Sequence, residues 1–239
     1  MSEHDAASVA RRAFLSRLGF GMTGLGATLA SGIAAQSSAP PPAAAGRWQP
    51  ARHAQDDWFD QVPGQHRFVF DTTTYEGLGG AMFFANNFFV GNQNGYGLGN
   101  ADLAVVLVVR HISTPFGYSD AIWAKYGSIL AQRANLTDPV TKQAPKTNLL
   151  FNPSSMAGQL PNNGVTLDSL LKRGVHLAVC MMATRRMATV IADATKGNAD
   201  TVYNEIVANL VPNAHMVPAG IVAVSRAQER GYTFANVGV

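Results

Sequence analysis

Cysteine is nearly absent: the 239 residues hold one, Cys180. A lone cysteine excludes an internal disulfide. No Cys-x-x-Cys or His-x-x-x-His spacing marks a metal centre. The glycine-rich "YEGLGG" at 75–80 matches neither the phosphate-binding loop nor the dinucleotide fingerprint. No Gly-x-Ser-x-Gly elbow and no pair of catalytic carboxylates stands out. Lysines and arginines are scattered, with a net charge of +3 and no basic stripe, which excludes nucleic acid as the expected partner. No apolar run is long enough to span a bilayer. No cofactor is expected.

What is present begins with a leader. Arg11 and Arg12 head an Arg-Arg-x-Phe-Leu pattern, and a short, glycine-rich apolar run and small residues follow. Residues 1–35 read as a twin-arginine signal peptide. Residues 36–64 read as a Pro/Ala-rich linker and N-terminal extension, and 65–239 as one domain. The expected product is periplasmic and not an integral membrane protein.

Within that domain strands and helices alternate. "ADLAVVLVVRH", 101–111, is continuously apolar and valine-rich, as a parallel strand buried on both faces requires. Strands are predicted within 66–74, which ends as a loop, and at 175–180, 214–220 and the C-terminus, with helices at 81–90, 119–130, 166–174, 183–211 in two pieces broken at Gly197-Asn198, and 221–231. The pattern predicts an α/β fold: a flavodoxin-like, doubly wound, mainly parallel sheet of about five strands with helices on both faces. Residues 137–164 hold four prolines and read as a functional or oligomer-contacting insertion that could cover the site. "STPFGY", 113–118, reads as a loop that, with Trp123, presents aromatic surface.

Ligands of such sheets bind beyond the carboxyl ends of the strands. Those ends carry Asp71, Arg110 and His111, Cys180, and Pro218 to Gly220. Cys180 falls where a strand meets a helix N-terminus, a position whose dipole favours an anionic sulfur. Cys180 and His111 are therefore the candidate catalytic residues, and Arg110, Asp71, Arg185 and Gly220 the candidate substrate-binding ones. Arg185 and Arg186 both add positive charge. His176 reads as structural, and Met181, Met182 and Met187 read as core packing.

"LKRGVHLAVCMMATRRM", together with "NLVPNAHMVPAGIVAVSRAQERGYTFANV", resembles the DsrE/DsrF-like family of sulfur-metabolism proteins. The resemblance covers about residues 66–239 and is most specific at the C-terminal end. It implies a homo-oligomer, a trimer or hexamer, in which Cys180 matches the position that carries a persulfide in the sulfur-relay members. It also implies a sulfur-donor or acceptor protein as partner. Two other readings stand beside this one. A non-catalytic binding module would use the same strand-end pocket with Cys180 buried. A soft-metal carrier would use Cys180, Met181 or Met182, and His111.

Overall fold

The computed structural model describes residues 49–152 and 159–238. The expected signal peptide, 1–35, and residues 36–48 of the expected linker lie outside the described residues. Five strands form one parallel sheet: β1 His66–Thr72, β2 Leu103–Val109, β3 His176–Cys180, β4 Ala214–Val217 and β5 Thr233–Val237. Their order is β4-β3-β2-β1-β5. The expected α/β class, parallel sheet and strand number are all present.

β2 shows why the sequence folds this way. Every one of its residues is buried. Leu103, Val105, Leu107 and Val109 face one layer, while Ala104, Val106 and Val108 face the other, as the two-residue period of a strand dictates. The first layer holds α2 Tyr75–Tyr96, α3 Asp120–Ala134, α4 Leu167–Lys172, α5 Met181–Thr195 and α6 Ala199–Val207. The second holds α1 Trp58–Gln61 and α7 Gly220–Gln228. The asymmetry follows from strand order. β1 to β4 step across the sheet in one direction, so right-handed crossovers put their helices on one face. The step from β4 back to β5, beyond β1, reverses direction and puts α7 on the other.

Three local expectations change. The domain starts earlier than residue 65: Phe59 and Val62 are fully buried in the second layer, and Arg67 donates to the carbonyls of both, at 2.8 and 3.1 Å. "STPFGY" is not aromatic surface. Residues His111–Gly117 form a 3₁₀ segment, and Phe116, Tyr118 and Trp123 are wholly buried. The insertion is structural in its described part. Asn148 donates to the Phe116 and Tyr118 carbonyls at 2.8 and 3.1 Å, and Leu149, Leu150 and Leu160 are buried.

His176 is structural, as expected, through a partner that the sequence does not reveal. Its Nδ1 lies 2.9 Å from His215 Nε2, and Trp58 stacks on His215 with centroids 4.0 Å apart. Burial, then the neighbouring His176, lowers the His215 pKa from 6.5 to about 4, and burial lowers that of His176. Between these values the unfolded chain binds a proton that the folded chain refuses. Stability is therefore full above the unfolded pKa and is lost as pH falls towards the folded one. With both rings half-exposed, the expected loss between about pH 7 and about pH 5 is discounted to roughly 1 kcal/mol. Thermal melts at the two pH values check this. His215→Phe should flatten the slope, and an unchanged slope would refute the assignment.

Candidate functional site

β3 and β4 are neighbours whose following helices leave on opposite faces of the sheet. Between their carboxyl ends lies the topological switch point, where open α/β sheets bind ligands. Cys180 ends β3 opposite Val217 of β4, and a cleft of about 480 Å³ opens there. Cys180, His111, Arg110 and Gly220 all line it, so four of the six expected site residues meet in one place.

Cys180 is the N-cap residue of α5, and Ala219 that of α7. Among the described residues neither N-terminus receives a side-chain capping bond, and first-turn residues of both helices, Met182, Ala183, Gly220 and Ile221, line the cleft, a placement that favours anions. Cys180 is 7% exposed, and its thiol has no hydrogen-bond partner among the described residues. Behind it, Tyr118 lies 3.0 Å from the Thr184 hydroxyl, which donates to the Cys180 carbonyl at 2.9 Å. Burial raises the Tyr118 pKa, so this phenol stays protonated and holds the strand–helix junction.

Arg110 is fixed from beneath. Its Nε and Nη2 donate to the two carboxylate oxygens of Asp71 at 2.7 and 2.8 Å. That pairing is the main cause raising the arginine's pKa, opposed by burial and aided by the nearby Cys180. Asp71 is 2% exposed and also accepts from Asn236 Nδ2 at 3.0 Å. It does not line the cleft, because Arg110 lies between. Asp71 is thus a positioning residue and not a direct ligand contact. Gly220 is needed for close approach: a Cβ there would fall 2.6 Å from the Arg110 Cβ, so only glycine lets α7 begin against this side chain.

His111 has φ +59°, a left-handed conformation uncommon for any residue but glycine. The turn is held by Ile112 and Ser113 N–H groups donating to the Thr73 carbonyl at 2.9 and 3.1 Å. The Ser113 hydroxyl donates to the Thr72 carbonyl at 3.0 Å and accepts from the Arg110 N–H at 3.1 Å. Such enforced backbone conformations cluster at functional sites.

Arg185 does not join the site. Its guanidinium sits 4.0 Å over the Tyr203 ring and 3.6 Å from Asp200, against α6. Successive helical residues point about 100° apart, so Arg186 turns into the cleft with Met182 and Ala183. Met182 is not core packing: it is 69% exposed, at the cleft rim, whereas Met187 is buried.

Arg133 also lines the cleft and carried no sequence signal. A helix following a strand normally runs back towards the strand's start. Here the 3₁₀ segment makes that return first: Val211 N–H donates to the Gly117 carbonyl, and Ser119 N–H to the Asn209 carbonyl, just ahead of β4. α3 therefore climbs the sheet, and its last turn brings Arg133 to the carboxyl ends.

Among the described residues no carboxylate lines the cleft. Among the described residues no group of three or more His, Cys, Asp or Glu is arranged to hold a metal ion, and no helix is long and apolar enough to cross a membrane.

No protein-family model matches the chain, and comparison with curated proteins gives no match. Among solved structures, a protein of unknown function from Methanobacterium thermoautotrophicum, MTH1491, is similar over 72% of this chain and 99% of its own, with 14% identity and a TM-score of 0.34.

Proposed function

We propose that the cleft is a sulfur-accepting thiol site in an exported, oligomeric protein of the DsrE/DsrF-like kind. One observation carries the reading. The only cysteine of the chain ends β3 at the floor of a cleft whose charged lining is Arg110, Arg133 and Arg186, with His111 on its wall. In the proposed step the Cys180 thiol passes its proton to His111, and the sulfur attacks the terminal sulfur of a persulfide, R–S–SH. The donor S–S bond breaks as the Cys180 Sγ–S bond forms. The leaving thiolate takes the proton back and departs as R–SH. Thiol and persulfide exchange one sulfur atom, and no oxidant is consumed. The cationic walls favour the negative charge that moves from one sulfur to the other.

Phe84 and Tyr96 on α2, 48% and 79% exposed, support the oligomer, and the leader pattern supports export. The 7% exposure of Cys180 favours a second reading, a small-ligand module with a structural cysteine.

Incubation with a persulfide donor, followed by intact mass, tests the proposal. Wild type should gain one sulfur atom that a thiol reagent removes, and Cys180→Ser should gain none. Equal gain in the variant, or no gain in wild type, would reject a thiol site.

A further inference from the structure

The three arginines of the cleft are not equivalent. Arg110 is neutralised by its two-pronged pairing with Asp71. Arg133 and Arg186 also line the cleft, and among the described residues neither makes an ion pair or a side-chain hydrogen bond. Arg133 is half-buried, where a cation without a counter-ion is unfavourable. The vacancy for negative charge is therefore two-fold. Between the arginines the walls are apolar: Met182 and Ile221 flank the opening at 69% and 59% exposure, and Ala183, Ala219 and Gly220 complete the lining. Single exposed apolar residues mean little, but two lining one concave site suit an organic ligand body.

Size adds a limit. A volume of about 480 Å³ lies in the range of small-molecule sites and exceeds what a short inorganic polysulfide fills. Cys180 is 7% exposed as a residue, so the donor must reach inward while its charged groups stay at the walls.

We infer that the sulfur carrier taken by this cleft is a low-molecular-weight organic thiol bearing two carboxylates, which enters as its persulfide. The inference rests on the proposed thiol site for its chemistry, but binding alone decides it. Arg133 and Arg186 each take one carboxylate, in the planar, two-pronged geometry that guanidinium groups provide. Met182 and Ile221 cover the carbon chain, and the sulfur end points down to Cys180.

S-methylglutathione is a suitable inert probe, since it carries two carboxylates and cannot transfer sulfur. S-methylcysteamine, which has neither carboxylate, is its control. Calorimetry on the full chain should show S-methylglutathione binding to wild type and to Cys180→Ser alike. Arg133→Ala and Arg186→Ala should each weaken it roughly tenfold, the loss expected for one charged hydrogen-bonding contact, and S-methylcysteamine should bind to none of them. Arg186 is exposed and Arg133 half-buried, so both variants should fold, which circular dichroism checks; Arg133→Lys should keep part of the affinity. Equal affinity for the two probes, no binding of S-methylglutathione, or affinity untouched by both arginine variants would overturn the assignment. Sulfur loading from glutathione persulfide is the separate arm. Failure there, with S-methylglutathione still bound through the arginines, would reject the thiol chemistry and leave the ligand class standing.

Discussion

Trp123→Ala is expected to destabilise the fold by about 3–5 kcal/mol, the usual loss when a fully buried aromatic is truncated. For a domain of this length that corresponds to a fall in melting temperature of roughly 10 °C. Trp123 is wholly buried, its ring centroid lies 5.4 Å from that of Phe116, and its Nε1 donates to the Pro115 carbonyl at 3.0 Å. Truncation opens a cavity and removes one of the two hydrogen bonds that this carbonyl accepts, the other coming from the Tyr118 N–H at 3.1 Å. Trp123→Phe retains most of the packing and should lose distinctly less. Because the 3₁₀ segment determines where α3 ends, a partly folded Trp123→Ala protein should also show a weakened cleft, read as reduced sulfur loading below its melting temperature. A melting temperature within a degree or so of wild type would mean that the ring is exposed after all.

Asp71→Ala should affect both stability and function. Its carboxylate is buried beneath Arg110 and Asn236, and removing one member of such a pair leaves the other without its counter-charge. The Arg110 side chain is 27% exposed and can partly rehydrate, which places the expected loss near the low end, about 2–3 kcal/mol. Arg110 would then no longer be held against Gly220, and the rate of sulfur acceptance should fall roughly tenfold or more through misplacement. Denaturant melts and loading kinetics measure the two effects. Asp71→Asn keeps one acceptor oxygen and should recover stability better than rate. If Asp71→Ala loads sulfur at the wild-type rate, Arg110 takes no part in the chemistry.

How far the sequence carried this account depended on how local each signal was. β2 was legible because its seven consecutive apolar residues, four of them valine, favour a strand covered on both faces. The strand-end rule then placed Arg110, His111, Cys180 and Gly220 in one cleft before any contact was known. α2 was harder, because helical spacing is readable only from Ala81 onwards, after Gly77, Gly79 and Gly80. The helix nevertheless begins at Tyr75, capped by the Thr74 hydroxyl that accepts from Gly77 N–H at 3.0 Å. A Cβ on Gly79 would meet Pro161 at 2.6 Å, so this glycine serves packing between distant segments, which no local pattern reports. The same holds for "STPFGY": its aromatics are buried by Asn148 and its neighbours, some 30 residues further along. Arg133 was beyond reach because its place depends on that segment reversing the course of the chain. Arg185 and Arg186 were both visible as charges, but choosing between them required the helical phase of α5 relative to the cleft.

The alkylation of Cys180 in the native, full-length protein, followed by intact mass, tests the central claim most directly. A sulfur-accepting thiol at the floor of an open cleft predicts complete labelling without denaturant, at a rate within about tenfold of that for the unfolded chain, and slower labelling when S-methylglutathione is present. Labelling that begins only once denaturant is added would contradict the claim and make Cys180 a structural residue of the β3–α5 junction.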